Sequence, residues 1–232
     1  TEAMPAWSPD GSHLAFVTWD EKEGGNVYKI NVNGKSTLTK LSQEPGFYMQ
    51  PAWSYNNRIA FFKAPKRLFK DAEDPFYSGS EAELAWIPAN GGNVTIIEGG
   101  GNKGNVHFTK DTSRVYLNSG GGNLVSVRWD GTDEKVHAKI SGITTFGFVL
   151  GEDDHNLQKQ DYVMGRYMAN LNAQDYCMLP EASSSREPQN LPTNASTILM
   201  APVGDKAIAQ VNNNIYVVTI PEAGKTPAIN VS

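Results

Sequence analysis

The chain has 232 residues, 39% of them hydrophobic and 19% charged, so it can bury a sizeable core. A formal charge of −5 argues against a nucleic-acid surface, which needs clustered Lys and Arg. No stretch approaches the roughly 18 apolar residues of a membrane span, and the single Cys177 excludes an internal disulfide.

Glycine (22) and proline (13) are frequent and point to short strands joined by turns. The start, TEAMPAWSPDG, opens inside a pattern and reads as a processed or trimmed end. The pattern begins with Trp7-Ser8-Pro9-Asp10-Gly11, followed by the strand His13-Leu14-Ala15-Phe16 and by NVYKINVNGKSTLTKL at 26–41. A second copy runs Trp53-Ser54-Tyr55-Asn56-Asn57-Arg58-Ile59-Ala60-Phe61 and continues ELAWIPANGGNVTIIE at 83–98. A third, matched by residue class, starts at Phe108 with Asp111 in its turn and continues at 123–140. A fourth and weaker copy starts at Met200, with Pro202 and Gly204 in its turn, and continues at 214–232.

Each continuation reads as a strand, a turn on Asn–Gly, Asp–Gly or Ala–Gly, and another strand, because such dipeptides supply the positive φ of tight hairpins. A further strand enters from the segment before the aromatic, such as GNVHF at 104–108. A repeated four-stranded antiparallel sheet of about 40 residues is a propeller blade. The fold class is therefore all-β, a β-propeller with blades at 1–42, 47–99, 104–142 and 198–232. In the repeat, Pro9 and Asp10 suit early turn positions and Gly11 the left-handed one. The hydroxyls of Ser8 and Ser54 can hold the turn. Trp7 and Trp53 offer flat surfaces for packing on a neighbouring blade, the alternative being a ligand cage.

Two segments break the pattern. Residues 64–82 form a long insertion carrying Arg67, Phe69, Phe76 and Tyr77, either a loop anchored by its aromatics or an interaction loop. Residues 151–197 have helical potential, with apolar Leu157, Tyr162, Val163, Met164, Tyr167, Met168 and Leu171, then a Pro/Ser-rich connector. They read as an irregular or helical insertion, a surface excursion or a lid. Four blades are few for a ring, so the sequence favours a partial propeller, completed by further sequence or another chain, over a four-bladed ring.

PAWSPDGSHLAF and its echoes resemble the TolB-like, WD-type propeller repeat of bacterial periplasmic and secreted proteins. The strings at 14–42, 107–117, 127–135 and 206–232 resemble more particularly the propeller that precedes the catalytic barrel of a group of bacterial amidohydrolases. The resemblance covers roughly 1–150 and 198–232. It implies a location outside the cytoplasm and a protein partner or adjacent catalytic domain. That family's metal ligands include a His-x-His pair, and His13, His107, His137 and His155 offer no such spacing.

The sequence offers no recognisable catalytic, cofactor or metal set. Asp153-Asp154-His155 reads as a solvated loop, and Ser78-Gly79-Ser80 lacks the flanks of a nucleophile elbow. Cys177 sits among apolar neighbours. The glycine runs at 99–105 and 119–123 lie between strands rather than opening a helix. Asp10, Asp111 and Asp130 lack a calcium-loop pattern. The expectation is a non-catalytic propeller domain of a larger secreted or periplasmic hydrolase, acting in docking or substrate access. A stand-alone module that binds protein or peptide is the alternative.

Overall fold

The structure is a computed structural model. It describes residues 2–67, 82–97, 104–108, 112–119, 123–138, 143–149, 162–170, 173–179, 189–190, 194–200 and 206–219. These residues form five sheets. Sheet 1 runs in chain order through β1 (Glu2–Trp7), β2 (His13–Thr18), β3 (Val27–Asn31) and β4 (Leu38–Lys40). Sheet 2 contains β5 (Phe47–Trp53), β6 (Arg58–Ala64), β7 (Glu83–Pro88) and β8 (Thr95–Ile96). Sheet 3 contains β9 (Gly104–His107), β10 (Arg114–Asn118), β11 (Leu124–Arg128) and β12 (Lys135–Ala138). Sheet 4 contains β13 (Ile143–Val149), β14 (Tyr162–Asn170), β15 (Ala173–Leu179) and β16 (Gln189–Asn190). Sheet 5 contains β17 (Thr197–Met200), β18 (Lys206–Val211) and β19 (Asn214–Thr219).

Within 151–197, sheet 4 corrects the helical or irregular reading at Tyr162–Asn170, Ala173–Leu179 and Gln189–Asn190; 151–161, 171–172, 180–188 and 191–193 lie outside the described residues. Strand β14 pairs with β13 through Val163↔Phe148 and with β15 through Val163↔Leu179. A run such as YVMGRYM suits a helix or a strand by pattern alone. The neighbouring ITTFGFV at 143–149 settles it by offering a ladder, and only two residues separate β14 from β15. Among the described residues the sheets therefore number five, against the four repeats visible in sequence.

Contacts gather the chain into two compact units. The first comprises Thr1–Phe108, Thr112–Leu117 and Val127–Glu134. Within it the leading strands of successive sheets are neighbours, β1 beside β5 and β5 beside β9. Its core is one buried cluster that joins Ala15, Val17, Val27 and Leu41 to Trp53, Ile59, Phe61, Ala85 and Ile87. Sheet 2 buries both faces, so β6 reads as a continuous apolar run, Ile59-Ala60-Phe61-Phe62. Tyr48 packs edge-on against Phe61, with ring centroids 5.2 Å apart, and donates its hydroxyl to the Glu44 carbonyl. The buried Ser42 hydroxyl accepts from the Val27 amide at 3.1 Å and donates to Asn26 Oδ1.

The second unit comprises Thr109–Asp111, Asn118–Ser126 and Lys135–Ser232. Its strand β13 lies beside β17, the same relation of leading strands. Strand β18 alternates strictly, with Ala207, Ala209 and Val211 buried and the intervening residues exposed.

The repeat-equivalent tryptophans differ in environment. Trp53 is only 9% exposed and lies 6.0 Å from the His13 ring, whereas Trp7 is 54% exposed. Trp53→Ala should cost about 3–5 kcal/mol of stability, as large-to-small changes in a packed core do. Trp7→Ala should stay within about 1 kcal/mol. Urea unfolding followed by circular dichroism measures both, and equal losses would contradict the packing described.

Candidate functional site

The turn of sheet 1 is built by side chains. Ser8 Oγ accepts the His13 amide at 2.9 Å and donates to Asp10 Oδ1 at 2.6 Å. The Ser12 amide and hydroxyl also donate to Asp10 Oδ1, at 3.0 and 2.7 Å. With the Ser12 proton directed at Asp10, Ser12 Oγ accepts from His13 Nδ1–H at 2.7 Å. Gly11 turns the chain with φ of 68°. The Ser8 donor and the Ser12 donors hold the Asp10 carboxyl well below its ordinary 3.8, at about 2.

The turn of sheet 2 repeats this wiring. Ser54 Oγ accepts the Arg58 amide at 3.2 Å, and Asn56 Oδ1 lies 2.5 Å from the hydroxyl where Asp10 serves in sheet 1. Asn57 takes the left-handed position, with φ of 58°. Asparagine tolerates that conformation better than most residues.

These two turns wall a cleft of about 420 Å³. Ser8, Pro9, Asp10 and His13 form one side, and Trp53, Ser54, Tyr55 and Asn57 the other, with Lys29, Ala89 and Asn90 completing it. The indole N–H of Trp53 is buried and has no hydrogen-bond partner among the described residues. Five of the repeat residues, Ser8, Pro9, Asp10, Trp53 and Ser54, thus meet in one cleft, a meeting that only the adjacency of sheets 1 and 2 creates. Gly11 turns beside it, and Trp7 does not line it.

A second cluster forms around Arg58. Its guanidinium lies 4.2 Å from the Trp86 ring centroid and 4.8 Å from that of Trp129. Phe108 stacks on Trp129 at 5.4 Å, and Trp129 Nε1 donates to the Thr112 carbonyl at 2.8 Å. Sequence reading singled out Phe108 but missed Arg58, Trp86 and Trp129. The signal available was a Trp on β7 and another just past β11, each two strands on from its repeat aromatic.

The remaining candidates are dispersed. Arg67 is exposed, while Phe69, Phe76, Tyr77, Asp111, Pro202, Gly204, His155 and Ser78–Ser80 lie outside the described residues. Asp130 is engaged by the Thr132 amide and hydroxyl at 2.9 and 2.7 Å, and these bonds lower its pKa. His137 Nε2 lies 2.6 Å from Ser126 Oγ. Burial pushes the His107 imidazole down to about 4. Cys177 sits on β15 opposite Gly165 and Asn190. Among the described residues no group of three or more His, Cys, Asp and Glu is placed to hold a metal ion. No helix among them is long and apolar enough to cross a membrane.

No protein-family model and no curated protein matches the sequence. Solved structures do match in fold. TolB from Acinetobacter baumannii aligns over 94% of this chain and 52% of its own, at a TM-score of 0.64 and 15% identity. The fold is a TolB-like β-propeller. A TolB from Agrobacterium tumefaciens gives a TM-score of 0.64 and 13% identity, over 94% of this chain and 76% of that one. An oligogalacturonate lyase from Vibrio parahaemolyticus gives 0.58 and 14%, over 93% and 62%. The TolB-like chain thus spans about half the length of the Acinetobacter protein and three-fifths of the lyase.

Two pH windows follow for this propeller. Asp10 titrates lower in the folded than in the unfolded chain, so its stabilisation is present above 3.8 and is lost as pH falls through about 2. Asp10→Asn should therefore flatten the acid limb of the urea midpoint below pH 3.8. His107 is a base whose folded value is depressed from 6.5 to about 4. The unfolded chain takes the proton first, so stability falls as pH drops from 6.5 towards 4. Part of the residue reaches solvent, so the loss should fall short of about 3 kcal/mol. Urea midpoints at intervals from neutral pH to pH 4 should decline for the wild type and decline less for His107→Gln.

Proposed function

We propose that this TolB-like propeller is a non-catalytic domain of a larger secreted or periplasmic hydrolase of the amidohydrolase type. In that role it docks the catalytic domain or governs access to its site. The observation that carries the non-catalytic part is the state of the cleft's polar groups. Asp10 is saturated by Ser8 and Ser12 and stays ionised down to about pH 2, and His13 Nδ1 is engaged by Ser12. A general acid or base must exchange protons near neutrality, and a carboxylate held that low does not. The same bonds make the cleft walls rigid, which favours recognition by shape.

The amidohydrolase part is supported by the resemblance of the strings at 14–42, 107–117, 127–135 and 206–232. The extracytoplasmic location is supported by the likeness to TolB structures and by the repeat itself. We assign the insertion at 64–82, with the exposed Arg67 and with Phe69, Phe76 and Tyr77, as a contact segment. A second reading, a stand-alone module that binds protein or peptide, is favoured by the exposed Trp7.

Native mass spectrometry of the protein isolated from its source separates the two. The hydrolase reading expects these residues within a longer polypeptide, or bound to one, whose amide or ester hydrolysis is abolished by a chelator. A folded species of 25.3 kDa with no attached catalytic chain would overturn it and leave the binding module.

A further inference from the structure

The cleft between the turns of sheets 1 and 2 holds polar groups of two kinds, those already spent within the protein and those left over. Every residue lining it belongs to the first unit. Asp10 is spent on Ser8 and Ser12, His13 Nδ1 on Ser12, and the Ser54 hydroxyl on Asn56 and Arg58. The groups left over are donors. They are the Lys29 ammonium, the Trp53 indole N–H and the side-chain amides of the exposed Asn57 and Asn90.

Lys29 is the least expected of them. It stands on β3 directly across from Ala15 on β2, so the two share a face of sheet 1. Ala15 is fully buried on that face, in the cluster that includes Trp53 of sheet 2. Lys29 is thus a half-buried cation on the covered side of a sheet, and it makes no ion pair among the described residues. A charge drawn out of water costs free energy unless it meets an opposite one. Trp53 adds a second unmet group, because a buried N–H without an acceptor costs about 1–3 kcal/mol.

We infer that this cleft binds a carboxylate attached to a small apolar group, with Lys29 as its counter-ion and the Trp53 indole N–H as a further donor. The indole, Pro9 and Ala89 supply apolar wall for the attached group. The volume of about 420 Å³ falls in the range of small-molecule sites, about 300–1,000 Å³. Charge selects a carboxylate over a phosphate. Asp10 lines the same cleft and is ionised, so one cation and one anion are already in place. A monoanion matches the single lysine, whereas a dianion leaves a charge unmet beside Asp10. A free short-chain acid and the carboxy end of a peptide share this chemistry. The inference goes beyond the hydrolase reading and does not rest on it, since these residues lie within the first unit alone.

The test is a titration of the purified full chain at neutral pH, followed by NMR of the tryptophan indole N–H signals. The ligands are acetyl-alanyl-alanine as the free acid, its carboxy-terminal amide, propionate and inorganic phosphate. The free acid should bind with a Kd of about 1 mM or below and shift the indole signal that Trp53→Phe removes. The amide should bind about tenfold more weakly or worse. Lys29→Met keeps the length of the stem, so it should retain the wild-type circular dichroism while losing about tenfold or more in affinity for the acid. Lys29→Arg should keep most of that affinity, and Lys29→Gln carries the same test if the Met variant misfolds. Propionate binding as well as the peptide acid assigns the cleft to a free small acid, and tighter binding of the peptide acid assigns it to a chain end. If Lys29 only lays its stem along the apolar wall with its ammonium in bulk water, acid and amide bind alike and Lys29→Met changes nothing. That result, no indole shift with about 10 mM free acid, or phosphate binding as tightly as the acid would each overturn the inference.

Discussion

The seating of one sheet's aromatic row on the next sheet's small-residue face is the contact on which the first unit depends. A four-stranded sheet presents two faces to water and is stable only when at least one is covered. Trp53, Ile59 and Ile87 cover Ala15, Val17 and Val27, and this single cluster accounts for most of the fully buried side chains of sheets 1 and 2. The consequence is an asymmetry within each sheet. One face needs reach, supplied by Trp, Leu, Ile and Phe. The other needs room, supplied by Ala and Val.

Close packing of that kind requires the strand ends to arrive in register, and the turn hydrogen bonds do this work. Ser8 and Ser54 each clamp the residue that begins the following strand, through the amides of His13 and Arg58. Each bond is worth only about 1 kcal/mol net. Its effect on geometry is larger, because a one-residue slip would swap the two faces of a strand and present the wrong half to the neighbour. Polar turns thus set the register that the apolar contact needs. The cleft between sheets 1 and 2 is a by-product of two such turns standing side by side.

How far the sequence was legible follows from the same division of labour. The Trp-Ser-Pro-Asp-Gly turn and its echo could be read because their chemistry is local, residue by residue within five positions. Strands β2, β6 and β18 followed at once, since they sit directly behind those turns. Sheet 4 was not legible, because it has no such turn to announce it. Its central run, Tyr162 to Met168, fits either period until the ladder with Ile143–Val149 is known. The aromatic cluster around Arg58 was hidden for another reason. Phe108, Trp86 and Trp129 come from three different strands or strand ends, and nothing local to any of them names the others.

Trp7 and Trp53 are the same residue in the same motif at the same strand end, so propensity and pattern treat them alike. They differ in burial, Trp53 being 9% and Trp7 54% exposed. The repeat therefore encodes a demand for a neighbour rather than the neighbour itself. Sheet 2 meets that demand from within the chain, through the face of sheet 1. In sheet 1 the corresponding row Trp7–Leu14–Ile30–Leu38 leaves Trp7 54% and Leu38 59% exposed. A propeller repeat is in this sense a unit with two unlike sides, and the packing of sheet 2 on sheet 1 draws on both.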